Sequence, residues 1–289
     1  MATPETTRFA PSPTGALHLG HAFAALLAHA AARMTGGQFL LRMEDLDAAR
    51  CSARHEAAIL ADLEWLGVPW DGPVRRQSEQ HARYRQALEA LTSQGLVYPC
   101  FCTRGDIARE IAAMASAPQG PDGPLYPGTC RLLPPAERRA RLAAGMTHAL
   151  RLDIAGAVNA LQGVRLQFEE TGQGPAGESG LIAVQPGVLG DVVLGRKDLG
   201  VSYHLAVVVD DADQAVSLVT RGEDLFAAAH VQRLLQALLG LPAPRYRHHA
   251  LIRDADGRRL AKRDGDQTLA ALRRSGATPA DIRRQLGLR

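Results

Sequence analysis

The first fifty residues alternate between extended and helical patterns, and this alternation restricts the fold more than any other feature of the chain. A short extended segment at Thr7–Ala10 leads into a turn rich in proline and glycine. Alanine and leucine dominate Leu19–Met34, which predicts a helix, and the apolar segment Gln38–Met43 predicts a buried strand. A strand, a crossover helix and a second strand form a βαβ unit with parallel strands. We therefore predict an α/β protein with a Rossmann-type parallel sheet.

The same alternation continues along the chain. Residues 52–66 and 79–94 are predicted to be helical. The run YHLAVVVDD at Tyr203–Asp211 is predicted to be a buried parallel strand that ends in acids. Ser217–Thr220 is predicted to be another strand, followed by a helix that ends near Leu239. Two short helices are predicted near the C-terminus.

Composition changes near Tyr98, after which three of the four cysteines and two stretches rich in glycine follow. This change predicts an insertion into the catalytic domain. The predicted segments are the first half of a catalytic domain at 1–98, an inserted α+β domain at 99–190, the second half of the catalytic domain at 191–244 and a short basic helical region at 245–289.

Length and composition exclude several classes of protein. With 289 residues, 46% of them hydrophobic and 22% charged, the chain can bury a core without disulfides and is neither disordered nor fibrous. The longest apolar stretch, Ala22–Ala32, is too short to cross a bilayer. No secretory or transit signal is visible, and four cysteines are too few for a secreted disulfide scaffold, so we expect a cytoplasmic protein.

Basic residues are distributed unevenly. Arg245–Arg289 carry 12 basic and 5 acidic residues, while the net charge of the whole chain is only +3. Such a basic end indicates either a phosphate-rich partner or a solvated helical face. Of the 33 basic residues only Lys197 and Lys262 are lysines, and Lys262 follows a glycine-containing segment. A lysine retained in so arginine-rich a chain indicates either a need for a compact ammonium or chance.

His18 and His21 stand where the first helix is predicted to begin, with Gly20 between them. The N-terminus of a helix that follows a parallel strand is an anion site, because backbone N–H groups and the helix dipole meet there. Histidines three residues apart share one helical face and can both donate to phosphate oxygens. Two surface histidines without a ligand are the alternative interpretation.

Three cysteines are grouped in the predicted insertion. Cys100, Cys102 and Cys130 supply three soft ligands for a tetrahedral zinc ion, and a fourth ligand is missing. Cys51 belongs to the preceding domain and is most simply a small packing residue. Three free buried cysteines are the alternative to a zinc site.

Several strings together resemble the glutamyl type of class I aminoacyl-tRNA synthetases. HLGH at 18–21 and RRLAKR at 258–263 resemble the two signature motifs of that class, although Arg259, Ala261 and Arg263 depart from the second one. The glutamyl type is matched more specifically by RFAPSPTGALHLGH from residue 8, RMEDLD from residue 42, YHLAVVVDD from residue 203 and RGEDL from residue 221.

The resemblance implies a role for each matching position. The glutamate ligands would be Arg8, Ser12, Glu44, Tyr203 and Arg221. ATP would be bound by His18, Gly20, His21 and Lys262, and of these His18, His21 and Lys262 would be the catalytic residues. The zinc ligands would be Cys100, Cys102, Tyr126 and Cys130. Elementary chemistry agrees on glutamate, because a guanidinium grips a carboxylate with two hydrogen bonds and a carboxylate holds an ammonium. As alternatives, Arg221 would be an ordinary loop charge and Tyr203 a core residue. Zn²⁺ and Mg²⁺ with ATP are the implied cofactors.

Only 26 residues follow Arg263, too few for the helical anticodon-binding domain of a glutamyl-tRNA synthetase. The chain in this respect resembles short paralogues that transfer activated glutamate to the queuosine base in the anticodon loop of tRNA(Asp). We therefore expect ATP, L-glutamate and the anticodon arm of tRNA(Asp) as partners of a monomeric enzyme. The alternatives are a truncated glutamyl-tRNA synthetase, a small-molecule nucleotidyltransferase and an inactive tRNA-binding regulator.

Overall fold

The computed structural model describes residues 3–114, 117, 119–121, 123–198, 200–252 and 268–288. Its helices are α1 (Leu19–Met34), α2 (Ala53–Trp65), α3 (His81–Ser93), α4 (Arg104–Ala113), α5 (Pro135–Ala143), α6 (Ile154–Ala160), α7 (Tyr203–Asp213), α8 (Phe226–Leu238), α9 (Leu269–Arg274) and α10 (Pro279–Gln285). Its strands are β1 (Thr6–Phe9), β2 (Gln38–Met43), β3 (Arg75–Arg76), β4 (Val97–Cys100), β5 (Gln119–Gly120), β6 (Gly123–Pro124), β7 (Ala149–Leu152), β8 (Gln167–Glu170), β9 (Gly180–Ala183), β10 (Val193–Gly195), β11 (Leu218–Gly222) and β12 (Arg245–His249).

The predicted βαβ unit is confirmed. Strands β1 and β2 pair in parallel, with Thr6 opposite Gln38, and β3 pairs in parallel on the far side of β2. The chain returns from α1 to β2 through Gly37, where a Cβ would lie 2.0 Å from the carbonyl oxygen of Glu5. Only glycine permits so close an approach of two backbones.

A second sheet continues the first one. Strands β11 and β12 are parallel, and the N–H of Ser217 donates to the carbonyl of Thr6 at 2.9 Å, so β11 begins beside β1. The strand order therefore reverses between β1 and β11. In an open parallel sheet, the crevice for a ligand forms at such a reversal, beyond the carboxyl ends of the strands. The α/β fold with a parallel sheet is thus the fold predicted from the sequence.

The prediction of a strand at Tyr203–Asp211 is wrong, because this run forms most of helix α7. Residues 205–211 are all buried, since α7 packs among helices α3 and α8 and strand β10. A helix buried on all sides has no polar stripe, and three successive valines favour a strand. The sequence pattern could not distinguish the two structures.

Strand β12 was not predicted, although its sequence alternates with the period of a strand. Tyr246 and His248 are buried, whereas Arg245 and Arg247 are exposed. The basic composition of this region concealed that alternation. Its partner β8 lies inside the segment predicted as an insertion, and β9 extends the same sheet. The boundaries 99–190 therefore stay a prediction. A separate antiparallel sheet in the order β10–β7–β4 has β7 inside these boundaries, β4 across the first of them and β10 just beyond the second.

The C-terminal helices pack against the first half of the chain. Leu269, Ile282 and Leu286 belong to the same buried cluster as α1 and β2. Thr268 forms an isolated bridge with His18, and the N–H of Leu269 donates to the carbonyl of Leu17 at 2.9 Å. Among the described residues, no helix is both long and apolar enough to cross a membrane.

Candidate active site

A cavity of about 490 Å³ opens at the carboxyl ends of β1, β2 and β11. It brings together all the predicted glutamate and ATP ligands that lie in the described part of the chain, namely Arg8, Ser12, His18, Gly20, His21, Glu44, Tyr203 and Arg221. These residues come from four separate parts of the sequence. Lys262 and its neighbours Arg259, Ala261 and Arg263 lie outside the described residues. On either side of them, Ile252 lines the cavity and Thr268 bridges to His18.

The two histidines form the N-terminal cap of α1. Nδ1 of His18 accepts from the N–H of Gly20 at 3.1 Å, and Nδ1 of His21 accepts from the N–H of His18 at 3.2 Å. Because both Nδ1 atoms accept, both neutral rings carry their proton on Nε2. A Cβ on Gly20 would lie 3.0 Å from the His18 ring, so glycine keeps this arrangement uncrowded. The capped helix end thus offers two imidazole donors to an anion.

Arg221 is a buried cation on β11 whose hydrogen bonds to described residues are all with neutral groups. Its side chain is 5% exposed, Nε donates to Nε2 of His248 at 3.0 Å, and Nη1 donates to Oε1 of Gln232 at 2.8 Å. Nη2 is buried without a hydrogen-bond partner, and no described carboxylate forms an ion pair with this guanidinium. A buried charge of this kind is costly unless an anion compensates it. A carboxylate or phosphate of a ligand bound at this point would supply that compensation.

Arg8, by contrast, is already compensated. Its Nε donates to Asp211 at 3.0 Å, and the same carboxylate accepts from Nη1 of Arg42 at 2.8 Å. Burial raises the pKa of Asp211, but Arg8 and Arg42 outweigh burial and hold it below its ordinary value. Arg8 therefore lines the cavity as one member of an ionic network. The sequence analysis did not identify Arg42 and Asp211 as members of this network. The available signal was that each is a charged residue within or at the end of an apolar run.

Glu44 and Tyr203 complete the polar lining. Nη2 of Arg42 lies 3.6 Å from a carboxylate oxygen of Glu44. Burial raises the pKa of Glu44 to about 6, although Arg42 and Arg8 act in the opposite direction. Burial also raises the pKa of Tyr203, which keeps its hydroxyl protonated. The cavity can therefore hold an ammonium on Glu44 and an acidic group on Arg221 at the same time.

A second cluster of reactive groups lies in the predicted insertion. The sulfurs of Cys100, Cys102 and Cys130 all lie within 4.8 Å of one another, and those of Cys102 and Cys130 are 3.4 Å apart. The hydroxyl of Tyr126 lies 3.4 Å from Sγ of Cys100 and 3.7 Å from Sγ of Cys102. A tetrahedral zinc ion with Zn–S bonds of about 2.3 Å separates its sulfur ligands by roughly 3.8 Å. The four groups fit such an ion.

Comparison with known proteins identifies the family. The model of the family described as class I tRNA synthetases for glutamate and glutamine, catalytic domain, matches residues 5–289. The chain is a member of this family. A relative from Rhodobacter capsulatus, named glutamyl-Q tRNA(Asp) synthetase, is 53% identical over 290 residues, which are 98% of this chain and 99% of that one. Another protein of that name, from Symbiobacterium thermophilum, is 45% identical over 95% of this chain and 83% of its own.

Solved structures agree with this assignment. The glutamate tRNA ligase of Elizabethkingia meningosepticum, in complex with its amino acid, superposes with a TM-score of 0.73 at 29% identity. The match covers 91% of this class I synthetase and 53% of the ligase, so the chain spans about half the length of that protein. Membership in the family makes the chain a ligase that uses ATP, and Mg²⁺ with ATP follows from it.

Lys197, the other lysine of this synthetase, lies beside the cysteine cluster. Its Nζ donates to the carbonyl of Cys102 at 3.2 Å and to that of Phe101 at 3.4 Å. An ammonium therefore holds the turn between the first two cysteines. The sequence left the role of Lys197 open, because this contact joins residues that are 95 positions apart.

Proposed function

We propose that this class I synthetase activates L-glutamate with ATP and transfers it to the queuosine base in the anticodon loop of tRNA(Asp). The observation that carries the first half is the Arg221 guanidinium, which forms no ion pair with a described carboxylate and lies in a cavity that also contains Glu44 and the histidine-capped helix. The second half is supported by relatives named glutamyl-Q tRNA(Asp) synthetase, which match the chain over 99% and 83% of their own length.

In the first reaction an oxygen of the glutamate α-carboxylate attacks the α-phosphorus of ATP. A new O–P bond forms, the bond to the β-phosphate bridging oxygen breaks, and pyrophosphate leaves. Arg221 binds the side-chain carboxylate and Glu44 the α-ammonium, which aims the α-carboxylate at the nucleotide. Nε2 donors of His18 and His21 stabilise charge on the phosphates, and Lys262 does so from the other side. Mg²⁺ neutralises the phosphate oxygens when it is bound.

In the second reaction a hydroxyl of the acceptor attacks the carbonyl of glutamyl-adenylate, and AMP leaves. The basic region 245–289 would bind the phosphates of the stem that leads to the acceptor loop. Arg274 and Arg284 lie exposed on α9 and α10, which pack beside α1 and its capping histidines. Single-stranded loops with splayed bases are the part of an RNA that proteins recognise most readily.

Acceptor specificity tests the proposed function. Radioactive glutamate is expected to become attached to tRNA(Asp) that carries queuosine and to be absent from tRNA(Asp) that lacks the modified base. The matched control is unmodified tRNA(Glu), which should stay unlabelled. Labelling of tRNA(Glu) at its 3′ end would replace the proposal by a glutamyl-tRNA synthetase. ATP–pyrophosphate exchange that does not depend on glutamate would indicate a nucleotidyltransferase. The absence of any exchange would indicate an inactive RNA-binding protein.

The cysteine cluster is proposed to hold one structural zinc. Tyr126 would be the fourth ligand, and a closed site of this kind fixes the local backbone without reacting. We expect metal analysis of the purified protein to find about one zinc per chain. Cys130→Ser should lose the metal and lower the melting temperature, whereas Cys51→Ser should do neither. Zinc-free wild-type protein, purified without chelators, would contradict the prediction.

The raised pKa of Glu44 predicts a pH dependence of glutamate use. Only the ionised carboxylate binds the α-ammonium, so kcat/KM for glutamate should fall as the pH drops below about 6. Bound ammonium stabilises the ionised form and lowers its pKa. At saturating glutamate, kcat/KM for ATP should therefore lack this decline. Two identical profiles would show that a group other than Glu44 is responsible.

A further inference from the structure

Two buried residues outside the cavity contact the guanidinium that faces it. His248 on β12 is 2% exposed and accepts from Nε of Arg221. Glu170 at the end of β8 is also 2% exposed, and its Oε2 contacts Nδ1 of His248. A line of three side chains thus runs from β8 through β12 to Arg221 on β11 and the cavity. Neither Glu170 nor His248 lines the cavity itself.

The hydrogen bonds determine which ring nitrogen of His248 carries the proton. Arginine can only donate, so Nε2 of His248 must accept and Nδ1 must donate to Glu170. Burial lowers the pKa of His248, which keeps the ring neutral. Burial raises the pKa of Glu170, but hydrogen bonds from His248 outweigh burial and keep it below its ordinary value. The carboxylate is therefore ionised and the imidazole is neutral.

The orientation of the Glu170 carboxylate is fixed by the backbone. Its Oε1 accepts from the N–H of His248 at 2.9 Å and from the N–H of Gly172 at 2.8 Å. A Cβ at position 172 would lie 2.3 Å from the carbonyl oxygen of His248, so the loop after β8 can close in this way only with glycine there. With Oε1 held by two backbone donors, Oε2 is the oxygen that meets the imidazole.

We propose that Glu170 and His248 are positioning residues that hold the Arg221 guanidinium in place for the side-chain carboxylate of the substrate. This role rests on the proposed function, because it takes glutamate as the ligand of Arg221. Glu170 keeps the proton of His248 on Nδ1, and Nε2 of His248 then anchors Nε of Arg221. Gln232 anchors Nη1, and Nη2 has no hydrogen-bond partner among the described residues.

Glu170→Gln tests the role, because the change preserves the shape of the side chain. The two backbone donors keep the amide oxygen at the Oε1 position, so the NH₂ group faces Nδ1 of His248. The ring must then accept at Nδ1 and carry its proton on Nε2, where it opposes the N–H of Arg221. We expect KM for glutamate to rise roughly 10- to 100-fold, with kcat changed less than about 3-fold. Glu169→Gln, on the exposed face of the same strand, is the matched control.

A double-mutant cycle separates this role from a general structural one. A glutamine at position 248 reaches the place of Nε2 with an oxygen that accepts from Arg221 without help from Glu170. His248→Gln should therefore raise KM less than about 3-fold, and His248→Leu should raise it as much as Glu170→Gln. Adding Glu170→Gln to His248→Gln should cause little further loss. Equal losses from Glu170→Gln in both backgrounds, or an unchanged KM in Glu170→Gln, would overturn the positioning role.

The protonation of His248 can be measured without any assay of activity. Nitrogen NMR of protein labelled at histidine should show the Nδ1–H form for the ring whose signals disappear in His248→Gln. In Glu170→Gln the same ring should change to the Nε2–H form. An Nε2–H ring in the wild type would overturn the proposal. Calorimetry with L-glutamate distinguishes the failure of the proposed function from the failure of this inference. If the wild type does not bind glutamate, both the proposed function and this role for Arg221 are wrong. The protonation state of His248 measured by NMR does not depend on that result.

Discussion

Arg221→Ala is expected to reduce kcat/KM for glutamate by roughly 10²- to 10³-fold, the usual cost of removing one partner of a buried, hydrogen-bonded charge pair. Most of the loss should appear in KM for glutamate, while KM for ATP changes little. The physical reason is that Arg221 has no described carboxylate partner, so its charge is available to the substrate. Glutamate-dependent ATP–pyrophosphate exchange, measured with and without tRNA, provides both constants.

Two comparisons make this prediction specific. Arg247→Ala removes an exposed arginine from the neighbouring strand and should leave both constants unchanged. The wild type should also prefer glutamate to glutamine, because an amide leaves the buried guanidinium without a counter-ion, and Arg221→Ala should lose most of that preference. If discrimination persists in the alanine variant, Arg8 is the residue that recognises the side-chain carboxylate.

Arg8→Ala is expected to impair glutamate use for a different reason. Removing Arg8 leaves Asp211 with Arg42 as its remaining cation and disturbs the buried network behind the cavity. The melting temperature should therefore fall in Arg8→Ala and fall much less in Arg221→Ala, because the wild-type Arg221 forms no ion pair with a described carboxylate.

Lys262→Ala is expected to slow adenylate formation by ~10²- to 10³-fold, the loss that follows removal of one donor to a transition state. KM for glutamate should be almost unchanged. Lys262→Arg should also lose activity, because a planar guanidinium is bulkier than an ammonium. Of the residues described on either side of this segment, Ile252 lines the cavity and Thr268 forms a bridge with His18, which also lines it.

The chain provides its own matched control for Lys262. Lys197→Ala removes the other lysine, whose ammonium holds the carbonyls of Phe101 and Cys102 near the cysteine cluster. This variant should weaken metal retention and leave adenylate formation intact. Unimpaired pyrophosphate exchange in Lys262→Ala would assign the phosphate contact to Arg259 or Arg263.

Predictions from local sequence patterns were correct where the structural element depends on the same few neighbouring residues as the pattern. The βαβ unit, helices α2 and α3, and the strand and helix after Ser217 all follow from patterns a few residues long. Helix α7 is the exception, because its burial on all sides removed the polar positions that identify a helix. The missed strand β12 shows the opposite failure, since a visible alternation was attributed to basic composition alone.

The sequence by itself determined that Arg8, Glu44 and Arg221 gather at the cavity, because the ends of strands are local properties and parallel strands end at one edge of a sheet. The position of Tyr203 at the cavity followed from the family resemblance, since the strand predicted to begin there is helix α7. The sequence could not determine which arginine is compensated. Arg8 and Asp211 are 203 positions apart, and Glu170 and His248 are 78 positions apart, so these pairs exist only after the chain has folded. The free energy of a buried charge depends on its neighbours in space, not on its own identity. Only the tertiary structure therefore decided that Arg8 is paired with Asp211 and that Arg221 faces the cavity without a described counter-ion.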